Sequence, residues 1–470
     1  MFNRVLRSWK PRSFQETAVR LGVSQACAGF LMSPGMGKTT TAYAIYSILK
    51  SKNFVKRVLV IAPLRVCYNV WPTQCHEWAE FDHLKVNILH GKNKDKNLAD
   101  LSADFYCVNP EGLPWLTGAT KVGQKMVLDP KRLAYLKEHF DVLVVDESTK
   151  FKDTGTSRFK IIRQFIKNFR RRYILTGTFS PNGLLDLFGQ VYILDEGDSL
   201  GAYITHYKNK YFYPTDHLGY NLAPHSWAPE TIAEKIAPLC LVLDRKEHLE
   251  MPELMFNNIE VELPLKARGQ YDLMESALVA MLEEGNIIAA NAAVATSKCR
   301  QIANGALITT HPEYVNIHDA KLDALEELVE EMSGEPLLVA YEFIFDLERI
   351  QARLKCPALG QGSMQKDADL IMAWNAGRIP VLLGHPASIS LGLNLQGACF
   401  NMCWYGLTWN LQDYLQTMDR IYRQGQKSPH VIIHRIIAKN TLDERVLQVL
   451  DGKEKSQDQF LKLLQGMRAK

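Results

Sequence analysis

The stretch from Leu31 to Tyr46, LMSPGMGKTTTAYAIY, sets two glycines, a lysine and three threonines between an apolar run and a helical pattern. Ala42, Ile45, Ile48 and Leu49 fall on one helix face, so the order is strand, glycine loop, helix, as a phosphate-binding loop requires. Gly35 and Gly37 let backbone N–H groups turn toward phosphate oxygens at the helix N-terminus. Lys38 reaches the β and γ phosphates and the Thr39 hydroxyl binds Mg²⁺, with Met36 and Thr40 completing the loop. Met32 stands where the first glycine of such loops is usual. By itself the pattern also fits a plain turn before a helix.

Working outward, short apolar runs alternate with helical segments between residues 25 and 180: CAGFLMS, VLVIAP, FYCVNP, DVLVVDE and YILTGT. Runs of this kind fit strands covered on both faces, the mark of a parallel sheet. Ligands bind beyond the carboxyl ends of such strands, which puts Ser33, Pro63, Asn109, Asp146 and Thr176 along one edge. The rhythm returns after residue 318 in PLLVAY, PVLLGHP, FNMCWYG and HVIIHRII. The expected fold is therefore α/β, with lobe one over 1–200, a mostly helical insertion and linker over 201–316, and lobe two over 317–470.

DVLVVDEST places Asp146 and Glu147 at the end of a buried strand, where adjacent carboxylates need a partner. A metal ion is the natural one: Asp146 holds Mg²⁺ through water and Glu147 polarises an attacking water. In the second lobe, WNLQDYLQTMDRIYRQGQ predicts a helix capped by Asn410, with Leu411, Leu415, Met418 and Ile421 buried. Arg420 and Arg423 then share the other side at i and i+3, placed to act as arginine fingers on the phosphate site of lobe one. A solvated helix face gives the same pattern.

The chain has 470 residues, 47% of them apolar, and a net charge of +4. That suits two or three globular domains, and the charge is too mild to demonstrate a polyanionic partner. Nine cysteines without a C-x-x-C pair argue against zinc and against a disulfide framework, and Cys399 and Cys403 read as buried small residues. The basic N-terminus lacks the apolar stretch of a secretion signal, and no apolar run approaches membrane-spanning length. An intracellular protein with no membrane partner is expected.

The order and spacing of these segments resemble superfamily-two helicases, most closely the Swi/Snf-type DNA-dependent ATPases. KPRSFQ resembles the adenine-recognising motif with Gln15, MSPGMGKTT motif I, VLVIAPLRV motif Ia, VVDEST motif II and RRRYILTGTFSPNGLLDLFGQVY motif III. HPASISLGLNLQ and QTMDRIYRQGQ are similar to motifs V and VI, and the compact length resembles the phage-encoded branch. The resemblance implies two RecA-like lobes, ATP and Mg²⁺ as cofactors, and nucleic-acid phosphates gripped around Arg65, Asn109 and Asn394. It departs from the family at Ser148 and Thr149, where DEAH or DEAQ is usual, and at Phe179 and Leu411. Coupling between the motifs must therefore be built differently.

The expected function is an ATP-dependent DNA translocase or helicase acting, as a monomer, on single-stranded or branched DNA in replication or recombination, with proteins of those processes as partners. For a phage-encoded chain the compartment is the host cytoplasm. A duplex translocase that displaces proteins without unwinding, an ATP-gated clamp and an RNA helicase fit the same motifs. Two further stretches are candidates for nucleic-acid contact. One is AYITHYKNKYFYPTDHLGY, where Tyr211 and Phe212 follow Lys208 and Lys210 and either stack on bases or pack an insertion onto the core. The other is the basic cluster Arg170, Arg171 and Arg172, which equally fits a solvated loop.

Overall fold

The apolar runs become strands buried on both faces. The structure, a computed structural model, describes every residue except 1–5, 217–220, 284–288, 311–312, 390–391 and 469–470. Parts of the aromatic insertion, of the helical linker and of the HPASISLGLNLQ segment thus lie outside the described residues. The chain divides into two units, Met1–Leu249 with Glu454–Lys470, and Glu250–Lys453.

In the first unit the strands are β1 (Cys27–Met32), β2 (Val58–Ile61), β3 (Val86–Ile88), β4 (Phe105–Val108), β5 (Val142–Asp146), β6 (Arg171–Thr176) and β7 (Cys240–Leu243). Among the described residues they form one seven-stranded sheet in the order β7-β1-β6-β5-β2-β4-β3. Every neighbouring pair is parallel. β2, β4 and β5 are buried at every position, which is why their sequences are unbroken apolar runs. Because all seven run the same way, their carboxyl ends share one edge.

In the second unit β8 (Glu253–Val261), β9 (Leu337–Ala340), β10 (Val381–Gly384), β11 (Asn401–Trp404) and β12 (His430–Ala438) form a parallel sheet in the order β8-β12-β11-β9-β10. Its two faces are covered by separate apolar clusters. One contains Leu325, Ile350 and Tyr405, the other Trp374, Trp404 and Tyr414. Cys399 and Cys403 are buried in this unit.

The expected boundaries at 200 and 316 do not coincide with this division. The segment assigned to a linker is shared out: β7 pairs with β1 from Gly29↔Cys240 to Met32↔Leu243, and β8 pairs with β12 along nine residues. CLVL stands apart from the alternating rhythm of the earlier strands, in a segment punctuated by aromatics and prolines, and ELMFNNIEV is a largely exposed edge strand whose apolar run is broken by Asn257 and Asn258. The end of the chain also differs from expectation. The final helix runs from Leu442 to Arg468, yet its last turns belong to the first unit. Phe460 and Leu464 sit in that unit's core, and Arg468 donates to the carbonyls of Ala237, Pro238 and Cys240.

Candidate nucleotide site

The phosphate-loop residues lie where β1 ends and the first long helix after it begins. That helix, Lys38–Ser51, has Gly37 as its N-cap at φ +82°, ψ 39°, and Gly35 is also left-handed at φ +84°. A side chain at Gly37 would fail on two counts. The backbone is strained for L residues, and a Cβ would stand 2.4 Å from Nε2 of Gln15 and 2.8 Å from Oγ1 of Thr40. The Thr40 and Thr41 hydroxyls donate back to the Gly37 carbonyl, which leaves Thr39 as the threonine of the three not spent on the helix's first turn.

Lys38 donates from Nζ to the carbonyl of Met32 at 2.9 Å, so the strand end that lacks the usual glycine holds the ammonium at the base of the loop. Gln15 is buried and bridges two segments. Its Nε2 donates to the Met36 carbonyl at 3.0 Å, and its Oε1 accepts from the Arg12 N–H at 3.0 Å. Gln15 and the glycine loop are therefore one hydrogen-bonded unit.

Asp146 ends β5, two strands from β1 across β6. It is buried, and its two oxygens accept from different donors: Oδ2 from the indole N–H of Trp71 at 3.1 Å, and Oδ1 from the Glu147 N–H at 3.1 Å. Burial, and next the charge of Glu147, push its carboxyl up to about 7, against the opposing pull of the Lys38 ammonium. Glu147 itself occupies the left-handed region at φ +55°, ψ 55°, a conformation costing on the order of 1–3 kcal/mol for a residue with a side chain.

These residues fit a Mg²⁺-bound nucleotide. A carboxylate forced out of water beside a second one has its charge relieved by a cation. Among the described residues no three His, Cys, Asp or Glu side chains converge, so one carboxylate and the Thr39 hydroxyl would share the ion with phosphate and water, the usual way Mg²⁺ is held.

In the second unit Asn410 caps a helix over Leu411–Met418, its side chain accepting from the N–H groups of Gln412 and Asp413. The helix stops at Met418, earlier than the sequence suggested, because the chain tightens into a turn in which the Arg420 N–H reaches the Thr417 carbonyl. Arg420 is thus not on an open helix face beside Arg423. It is buried, its Nε donating to the Gln416 carbonyl at 2.8 Å and its Nη1 to the Leu393 carbonyl at 3.0 Å. Arg423 reaches the same Leu393 carbonyl at 3.5 Å. The arginine segment and the segment around Asn394 are one construction.

A model of the SNF2-related domain matches residues 14–264, and a model of the helicase conserved C-terminal domain matches 320–425. The chain is 33% identical to putative protein p41 of Acyrthosiphon pisum secondary endosymbiont phage 1, over 98% of this chain and 99% of that one. The chain belongs to the SNF2-related family. It is an ATPase of that family. It is also similar to an uncharacterized ATP-dependent helicase of Mycoplasma pneumoniae (24% identical, 94% of this chain, 41% of that protein). A third relative is the DNA repair and recombination protein RDH54 of Saccharomyces cerevisiae (22%, 84% of this chain, 45% of that protein). The chain spans less than half the length of these last two. Among solved structures it is similar to the Sulfolobus solfataricus SWI2/SNF2 ATPase core in complex with dsDNA, at 21% identity and a TM-score of 0.44 over 98% of this chain and 95% of that one.

The remaining expected positions of this SNF2-related chain scatter. Arg65 is the second residue of a short helix, Leu64–Asn69, after β2, and Asn109, whose Nδ2 donates to Glu111 at 2.8 Å, follows β4 on the same sheet edge. Asn394 is exposed in the second unit, with its carbonyl held by Asn375 at 2.9 Å. Arg170, Arg171 and Arg172 stand at the opposite, amino end of β6. There Arg171 ties to the Gly22 and Gln25 carbonyls and Arg172 to Glu196, as structural braces. Tyr211 and Phe212 are buried in the first unit's core and packed on Tyr207, so the core-packing alternative holds for them. Among the described residues between 202 and 227 the exposed aromatics are Tyr203, Tyr213 and Trp227.

Sequence reasoning missed two residues of this site. Trp71 opens the short helix Trp71–Cys75 after the motif Ia segment, and only its indole N–H reveals its part. Gln190 accepts from the buried Ser148 hydroxyl at 2.7 Å. A lone glutamine inside LFGQVYIL, otherwise all apolar or glycine, was the available signal.

Proposed function

We propose that this SNF2-related ATPase is a DNA-stimulated translocase that remodels DNA, with branched replication or recombination intermediates as its substrate. The observation that carries the reading is the glycine loop and the turn of buried Asp146 and half-buried Glu147 on the carboxyl edge of one parallel sheet. The names of relatives in DNA repair and recombination support the substrate class. The preference for branched over plain duplex DNA rests on that analogy alone.

Bound ATP and Mg²⁺ supply the scissile phosphoanhydride and the cation that neutralises it. The loop Gly35–Met36–Gly37 would offer its N–H groups to the phosphates, Lys38 would add a positive charge, and Thr39 and Asp146 would hold the ion. Glu147 orients and polarises the water, and Gln15 recognises the base. Arg420 and Arg423 neutralise charge on the transferred phosphoryl group. Arg65, Asn109 and Asn394 grip nucleic-acid phosphates, and because Arg420 and Arg423 share the Leu393 carbonyl with the Asn394 segment, a shift of the arginines is a shift of that grip.

The deciding experiment is steady-state ATP hydrolysis with no nucleic acid, single-stranded DNA, duplex, a fork or four-way junction, and RNA, with Lys38→Ala as the blank. Stimulation greatest on forked DNA supports branch remodelling. Equal stimulation by duplex and fork, without strand displacement, would move the assignment to a duplex translocase, and a flat response to an ATP-gated clamp.

A further inference from the structure

Ser148 and Gln190 are 42 residues apart in sequence and fully buried together in the first unit. The Ser148 hydroxyl donates to Oε1 of Gln190 at 2.7 Å. At the other end of the same amide, Nε2 donates to the Phe179 carbonyl at 2.7 Å and to the Asp186 carbonyl at 2.9 Å. Both amide protons and the oxygen are engaged, so the group has one workable orientation. Flipped, it would set its oxygen against two carbonyls.

The two ends of this amide belong to different parts of the site. Ser148 immediately follows Glu147, the residue held in the left-handed region. Phe179 immediately follows the turn in which the Thr178 N–H donates to the Thr176 hydroxyl and that hydroxyl donates to the Thr178 carbonyl. The helix carrying Gln190, Leu187–Asp195, comes close enough because the residue before Gln190 is Gly189: a Cβ at that glycine would lie 2.2 Å from the Phe151 carbonyl. Backbone proximity and a saturated amide are thus built at consecutive residues.

We propose that Gln190 is a positioning residue for ATP hydrolysis, a strut that fixes the Asp146–Glu147–Ser148 turn relative to the Thr176–Phe179 turn. It makes through a helix the connection that the Ser148 and Thr149 departures take away from the carboxylate motif itself. A low-dielectric, fully satisfied bridge transmits displacement well because neither end moves without leaving a buried polar group unpaired. Its role is to hold Glu147 where a water can be polarised, so it acts on turnover rather than on nucleotide affinity.

The test compares Ser148→Ala, Gln190→Met and the double variant. kcat and KM for ATP are measured with and without saturating duplex DNA, alongside nucleotide-analogue affinity and Tm. Each single change is expected to lower kcat about 10-fold or more with KM and analogue affinity within about 2-fold, and the double variant to match the worse single one, as for residues acting as a unit. Unchanged kcat in Ser148→Ala, losses that multiply in the double variant, or losses that appear in affinity instead of kcat would each overturn the proposal. Should Gln190→Met fail to fold, Ser148→Ala decides, since it removes a single oxygen atom.

Discussion

The indole N–H of Trp71 donates to Oδ2 of Asp146 at 3.1 Å, joining a fully buried aromatic to a buried carboxylate at the carboxyl end of β5. The Trp71 ring is fixed in turn by edge contact with Tyr43, whose hydroxyl donates to the Trp71 carbonyl. Trp71→Phe keeps an aromatic ring against Tyr43 while deleting the donor, at the cost of a small cavity. Partners that orient a metal-binding carboxylate are worth about 10–100-fold in metal affinity or activity. A Mg²⁺ titration of ATPase activity is therefore expected to show half-activation moved up by about that factor, and an unmoved midpoint would separate Trp71 from the ion site.

Gly37→Ala meets both the positive φ and the Gln15 amide. The expected cost is about 1–3 kcal/mol of stability, read as a lower urea midpoint, with nucleotide binding weakened because Gln15 and the loop move together. Wild-type affinity in the variant would show the glycine loop to be uninvolved.

Arg420→Lys retains a positive charge but not the fork that spans the Gln416 and Leu393 carbonyls. DNA-stimulated turnover should fall by at least about 10²-fold. Hydrogen exchange should also rise at the Leu395 amide, which now donates to the Arg420 carbonyl at 3.3 Å. Turnover lost without faster exchange would mean that Arg420 acts on phosphate alone.

Asp346 provides a pH-dependent prediction in the second unit, away from any nucleotide. Its Oδ2 accepts from Asn304 and from the N–H groups of Glu342 and Phe343, while Oδ1 is buried without a partner. Burial pushes its carboxyl up to about 7 despite those donors. A folded-state value raised from 3.8 means that its contribution is full below about 4 and is lost as pH rises to 7. Asp346→Asn should therefore gain stability relative to the parent between pH 5 and 8, by on the order of 3 kcal/mol at about 1.4 kcal/mol per pH unit. Parallel urea curves at the two pH values check this, and a pH-independent difference would refute it.

In the aromatic insertion, Phe212→Ala should cost about 3–5 kcal/mol because Phe212 is core, whereas Tyr213→Ala should stay within about 0.5 kcal/mol. Thermal unfolding distinguishes them. Among the described residues the exposed Tyr203, Tyr213 and Trp227 are then the aromatics suited to a forked-DNA unwinding assay, since they lie outside the core.

The sequence by itself determined the two parallel sheets, the glycine loop at 35–37 and the placement of Asp146 at a strand end. Those signals are local: a strand covered on both faces must be apolar throughout, and a loop turning at positive φ must use glycine. Tertiary structure alone decided that Cys240–Leu243 joins the first sheet and Glu253–Val261 the second, because a strand's partner is set by long-range hydrogen bonds and not by its own composition. It likewise decided that Trp71 serves Asp146, that Gln190 joins Ser148 to Phe179, and that Arg420 turns inward to Leu393. A buried donor or acceptor must find a partner, but only the folded chain brings that partner within 3 Å.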